Sequence, residues 1–303
     1  MIARIKKKKR FLPLFLLMVQ GLVYLIINNY MPMAGMVVAF KDVNYAKGIF
    51  RSDWIGLQNF EYLFKTKDAL IITRNTILYN LAFIVLGTSI SIITAIFICD
   101  IRQRAIARTA QTILIFPALI SWVVIACLTY GFLSNNGIAN RMLTSWGRDT
   151  ISWYMFPKGW PFILTIVHIW KSVGFQSIIF ISNIMGISQD YFEAARVDGA
   201  SKWKQIWYIT IPLLKPTIIM VVTLALGRIF YSDFGLFYQV PRDSGGILTA
   251  TNTIDTYVFR GLLKLGDIGM SSAACTYQSL VGFIVVLTSN LILRKVSPEN
   301  ALF

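Results

Sequence analysis

Only 14% of the 303 residues are charged and 56% are hydrophobic, which leaves too little polar surface for a soluble globule and excludes a disordered chain. The formal net charge of +15 would suit nucleic acid, but the basic residues gather beside apolar runs, the pattern of a membrane surface. The chain reads as an integral membrane protein with six apolar runs, each near the roughly 20 residues that a hydrocarbon core of about 30 Å requires.

The first ten residues, MIARIKKKKR, hold six Lys or Arg directly before the first span, residues 11–27, and so place the N-terminus in the cytoplasm. That span is too long in its apolar core for a cleaved signal, and no small-x-small site follows Asn28 and Asn29. An external stretch, 28–75, holds Pro32, Gly48 and an amphipathic piece at 56–72. There Leu57, Phe60, Leu63 and Phe64 recur at helical spacing, which predicts a short helix lying at the outer interface. Spans follow at 76–99, 109–133, 161–187, 213–231 and 276–293, with external loops at 134–160 and 232–275. The last loop contains IDTYVFRGLLKLG, which reads as helical. Alternating sides from the N-terminus makes basic residues about twice as dense inside as outside, and Arg294 and Lys295 after the last span put the C-terminus inside as well. The expected fold is all-α and polytopic, with six transmembrane helices in a single domain over residues 1–303. Cys99, Cys127 and Cys275 lie in or beside apolar runs with no CxxC or Cys/His cluster; they read as packing residues, not as a disulfide framework or a metal site.

The inside connection at 188–213 is long. Asp190 followed by Glu193 reads as a capping box opening a helix, and Gly199 can take the left-handed conformation that ends it. Ser201 can cap a second short helix through Tyr208, and Pro212 can open the next span. Two short helices joined at a glycine along the membrane face have the shape of a docking element.

Glu193, Ala194 and Ala195, then Gly199, Ile209 and Pro212 stand at spacings that resemble the EAA loop of ABC-importer permeases, with Ile211 where that family usually has Leu. YMPMAGMVVAFKDVN (30–44), WIGLQNF (54–60), FPALISWVV (116–124), HIWKSVGFQSIIF (168–180) and IDTYVFR (254–260) are similar to the carbohydrate branch of those permeases, in its polysaccharide and complex-oligosaccharide subgroup. The resemblance implies a permease core at about 72–294, preceded by an N-terminal span and external segment at 11–71, in a bacterial cell membrane. It implies a second homologous permease, an ATP-binding-cassette ATPase dimer carrying ATP and Mg, and an extracellular solute-binding lipoprotein that delivers an oligosaccharide. No cofactor belongs to this chain, and no Walker A loop is present, so the energy source sits on another chain. The resemblance makes Glu193, Ala194, Ala195, Asp198, Gly199, Ile209 and Pro212 the ATPase-coupling surface. The alanines allow close approach of a partner, Glu193 offers a carboxylate at the rim, and Gly199 sets the angle between the helices.

Polar side chains within spans are the candidates for a substrate path, because ionisable groups in hydrocarbon usually face an aqueous cavity or a bundle interior. Lys171 lies near the middle of the fourth span, and Arg228 about two-thirds along the fifth, with Asp233 near its end. Trp122, Trp170, Gln176, Tyr231, Phe234 and Tyr238 accompany them. Aromatic faces stack on sugar rings, and Arg, Lys, Asp and Gln bind hydroxyls or a sugar carboxylate. Equally, Trp and Tyr near span ends form an interfacial belt, and Arg228 has Asp233 within reach as a partner. His168 reads as a packed polar residue, and Asn75, Asn80, Asn183 and Gln278 as helix–helix hydrogen bonders. Two other function classes compete. An ion-coupled transporter would want a carboxylate buried in a span, yet every Asp and Glu lies in a loop or at a span end. A membrane enzyme would need an acid/base pair or metal cluster, and no catalytic grouping appears.

Overall fold

The computed structural model describes residues 15–61 and 65–296. The basic N-terminal run, residues 11–14 of the first span, and Leu63 and Phe64 lie outside the described residues. Six helical segments are long and apolar enough to cross a membrane: Phe15–Phe40, Lys67–Asp100, Trp122–Ser145, Pro157–Met185, Lys202–Leu226 and Ile268–Leu291. In chain order the helices are α1 (Phe15–Phe40), α2 (Lys67–Asp100), α3 (Arg104–Leu119), α4 (Trp122–Leu133), α5 (Ile138–Ser145), α6 (Trp160–Met185), α7 (Gln189–Val197), α8 (Lys202–Leu226), α9 (Ile254–Arg260) and α10 (Ile268–Val296). The chain forms two compact units, one of residues 1–65 with 258–277, the other of 66–257 with 278–303.

In the first unit, α1 ends in a 3-10 stretch (Ala34–Phe40) and leads into a two-stranded antiparallel hairpin, β1 (Lys41–Asp42) and β2 (Asp53–Trp54). Phe40 stacks on Trp54 with centroids 5.7 Å apart and meets Phe60 at 5.3 Å. Asn59 donates to the Ala39 and Lys41 carbonyls at 3.0 Å each. These contacts fold the segment around Phe40. Within the stretch expected to be helical, Gln58–Phe60 is a 3-10 turn, Glu61 and Lys65 are helical on either side of the residues outside the described ones, and a helix starts again at Lys67.

In the second unit, α2 starts at Lys67, nine residues before the expected span, because the Thr66 side chain accepts from the Ala69 N–H and opens the helix early. The expected third span, 109–133, is two helices. Pro117 interrupts the hydrogen-bond ladder near the end of α3, Ile120 and Ser121 are extended (ψ 136° and 151°), and the Ser121 hydroxyl caps α4 through the Val124 N–H. α6 packs most extensively against α2 and α3. Gly174 permits the second contact: a Cβ there would collide with the Leu114 backbone of α3. Ile92, Ala95 and Ile98 of α2, Phe180 and Ile181 of α6, and Leu214 of α8 form one apolar cluster. A second joins Tyr79, Phe83, Ile125, Trp160 and Leu164 to Leu236, Phe237, Val240 and Ile247. Much of the expected loop 232–275 is therefore core, held there because its apolar residues fill the space among α2, α4 and α6. In α5, Asn140 (2% exposed) donates to the Asn135 and Ile151 carbonyls and accepts from the Ile151 N–H, which ties the helix to the loops on either side.

Gly174→Val is expected to destabilise the protein by about 1–3 kcal/mol through overpacking against the Leu114 backbone, read as a lower thermal unfolding midpoint in detergent. Gly131→Val, at a position with nothing within 4 Å, should leave the midpoint close to wild type.

Candidate functional site

α7 is capped by Ser188, whose hydroxyl accepts from the Asp190 N–H at 3.3 Å and donates to the Asp190 carboxylate at 3.0 Å. The cap thus lies two residues before the expected Asp190–Glu193 box, because the Ser188 backbone is the last extended one (ψ 136°). The helix ends in a Schellman arrangement, with Ala200 N–H on the Ala195 carbonyl at 2.8 Å and Gly199 N–H on the Arg196 carbonyl at 3.1 Å. Gly199 adopts φ +73°, and a Cβ there would meet open space, so only backbone conformation restricts the position. None of the nine residues of α7 is buried. Glu193, Ala194, Asp198 and Gly199 are exposed and Ala195 is half-buried. Val197 is 88% exposed, and Tyr191 also faces outward. Sequence reading passed over both, although apolar residues on a charged nine-residue helix were a signal.

The second helix of the loop does not end at Tyr208. It runs without a break from Lys202 to Leu226, since a π-type turn at Ile206–Thr210, with the Ile211 N–H reaching back to Ile206, accommodates the missing N–H of Pro212 inside the helix. Ile209 is half-buried and Pro212 exposed within this helix. Two contacts fix its start: Gln205 donates to the Ala200 carbonyl at 3.1 Å, and Lys202 pairs with Asp100 at the end of α2.

At its far end α8 stops at Leu226 and unwinds into successive short turns, so Arg228 lies beyond the helix rather than within it. Neighbouring side chains hold the unwound backbone. Asn80 donates to the Ile229 and Tyr231 carbonyls at 2.9 and 3.0 Å, and Gln278 to the Phe230 carbonyl at 2.6 Å and Asp255 at 3.1 Å. Asp255 in turn accepts from the Ser232 N–H at 2.6 Å. Further on, Asn75 donates to the Thr249 and Asn252 carbonyls, and the Tyr79 hydroxyl to Ala250. Asn75, Asn80 and Gln278 therefore bond to irregular backbone, whereas Asn183 accepts from Thr217 between two helices at 2.9 Å.

The path candidates separate into two groups. Lys171 donates to the Pro117 carbonyl at 3.3 Å, to Ala118 at 3.1 Å and to Ile120, and lies 5.0 Å from the Trp122 ring centroid. Trp122 Nε1 donates to Asp233 at 3.0 Å, whose other oxygen accepts from the Gly235 and Leu236 N–H groups. Gln176 bonds Ser91 and Thr88 of α2, both at 3.4 Å. Arg228 is exposed and makes no ion pair with Asp233; Tyr231 shares a hydrogen bond with Ser279 at 3.3 Å, Phe234 stacks on Tyr238 at 4.9 Å, and Trp170 is exposed. His168 stacks on Phe83 with centroids 3.8 Å apart. Outside the spans, burial pushes the Tyr154 phenol up to about 12, with Arg242 opposing and Tyr130 adding to the rise, so this hydroxyl stays protonated and donates to the Val240 carbonyl.

Gln278→Leu removes the donor to a buried carbonyl and to Asp255, at a site 3% exposed. The expected loss is roughly 1–3 kcal/mol, seen as a lower unfolding midpoint; an unchanged midpoint would show that the unwound segment is held by other contacts.

Residues 87–297 match the family described as the binding-protein-dependent transport system inner membrane component. The polygalacturonan/rhamnogalacturonan transport system permease protein YteP of Bacillus subtilis (strain 168) is 28% identical over 293 residues, covering 95% of this chain and 89% of YteP. A chain in the crystal structure of a bacterial ABC transporter involved in the import of the acidic polysaccharide alginate superposes with a TM-score of 0.88 at 29% identity, over 96% of this chain and 98% of that one. In the structure of a bacterial alginate ABC transporter with an alginate pentasaccharide-bound periplasmic protein the TM-score is 0.86 at 28% identity, over 96% and 97% of the two chains.

Proposed function

The chain belongs to the family of binding-protein-dependent transport system inner membrane components, and from that membership we propose that it carries oligosaccharides or polysaccharide fragments across a bacterial cell membrane, with both termini in the cytoplasm. It is a multi-pass transport subunit and not an enzyme; the ATPases are separate chains, and a second permease and an external binding protein complete the importer. Family membership sets aside the ion-coupled transporter. The observation that carries the glycan reading is that the likeness to the alginate importer runs over nearly the whole chain. Residues 1–303 serve as one transmembrane domain with its permease core at about 72–294, and ATP and Mg bind on the partner ATPases. Arg228, Tyr231, Phe234 and Trp170 supply the substrate path: the Arg228 side chain has no partner among the described residues, and it suits hydroxyls or a sugar carboxylate as the rings suit C–H faces. Cells expressing the whole importer are expected to take up at least one member of a panel of neutral and uronate-bearing oligosaccharides with the membrane potential collapsed and ATP retained. Uptake that vanishes with the potential would sink the reading.

Glu193, Ala194, Ala195, Asp198 and Gly199 form the surface that enters a cleft on the ATPase, and Ile209 and Pro212 carry the push into α8. Support comes from α7, which buries no residue of its own, and from the unbroken run of α8 behind it. Glu193→Lys reverses charge at the rim. Gly199→Val forces a β-branched residue to φ +73°, at a cost of order 1 kcal/mol or more. Both variants are expected to pair with the second permease while the co-eluting ATPase falls several-fold. Wild-type ATPase recovery in both would remove the loop from the docking surface.

A further inference from the structure

The break between α3 and α4 leaves carbonyls at the end of α3 without helical partners, and the three donors of Lys171 are spent on Pro117, Ala118 and Ile120. A cation at a helix C-terminus is also favoured by the helix dipole. The same ammonium lies over the Trp122 ring, and the indole N–H points to the Asp233 carboxylate. The two contacts reinforce each other: a carboxylate on the indole N–H enriches the ring in electron density, which strengthens its hold on the cation. Gly235 completes the seat, since a Cβ there would collide with the indole. Three chain segments thus meet at one side chain: α6 through Lys171, the start of α4 through Trp122, and the unwound run after α8 through Asp233.

We propose that Trp122, held between Lys171 and Asp233, is the latch through which the end of α8 sets the angle of the α3–α4 break during transport. Lys171, Trp122 and Asp233 are then positioning residues, not sugar contacts. The hinge is Ile120–Ser121, the two extended residues between the helices. α8 begins in the docking loop and continues to Leu226, and the unwound run that follows, held by Asn80 and Gln278, leads to Asp233. Displacement of the loop therefore reaches Asp233 through the helix and this held segment. The inference rests on the docking reading above.

The test uses the complete importer reconstituted in lipid, with spin labels at Ile106 on α3 and Phe132 on α4, both exposed. Interlabel distances are compared without nucleotide and with ATP trapped by vanadate. Wild type is expected to shift its distance on trapping. Trp122→Phe keeps the ring under Lys171 but loses the N–H, and Asp233→Asn keeps an acceptor but loses the charge. Each is expected to assemble normally and to lose at least half of the shift, with the double variant no worse than the stronger single one. Lys171→Met, which orphans the α3 carbonyls, is expected to lose assembly, and Lys171→Arg to restore it. A full shift in Trp122→Phe, additive losses in the double variant, or failure of Trp122→Phe to assemble would overturn the latch alone. A wild-type importer with no nucleotide-driven shift would sink the docking reading and the latch with it.

Discussion

A backbone that crosses hydrocarbon has no water to bond, so each place where a helix stops must find its donors and acceptors within the protein. The second unit of this chain meets that demand with side chains from neighbouring spans. Lys171 serves the carbonyls where α3 ends; Asn80, Gln278 and Asp255 serve the unwound run after α8; Asn75 and Tyr79 serve the turn near Thr249–Asn252. Without these bonds the irregular segments could not lie among helices, and the apolar cluster that includes Leu236, Phe237 and Val240 could not form.

The arrangement divides labour between stiff and interrupted elements. α8 absorbs Pro212 in a π-type turn and stays continuous, which suits a lever. The third span is interrupted at two extended residues, which suits a hinge, and its halves are tied to α6 and to the end of α8 by single polar side chains. Apolar packing holds α3 on α6 and joins α4 to the segment after α8, and a few hydrogen bonds add the ties at the break itself and at Asp233. Such bonds have two discrete conditions, made or broken, as a transporter that alternates between states requires.

The docking loop is the opposite kind of element. α7 buries nothing, so its form comes from local signals alone: the Ser188 cap at one end and Gly199 at φ +73° at the other. Local signals are what sequence carries best. The Gly199 conformation and the two-helix form were legible for that reason, while the choice of Ser188 over Asp190 as cap turned on which backbone is extended.

Sequence alone determined the membrane class, five of the spans to within about a turn or two at most ends, the docking motif and the resemblance to importer permeases, because hydropathy, charge asymmetry and motif spacing are properties of the chain itself. Tertiary structure decided what the polar residues inside the spans do. Lys171, Gln176, Asn80 and Gln278 look alike in sequence, as costly groups in apolar helices. One caps a broken helix, one joins two helices, and two hold unwound backbone. It also decided that the stretch after α8 is core, since its pairing with Asn75 and Asn80 spans about 150 residues or more of chain. No local pattern encodes partners at that separation; they exist only once the helices have packed.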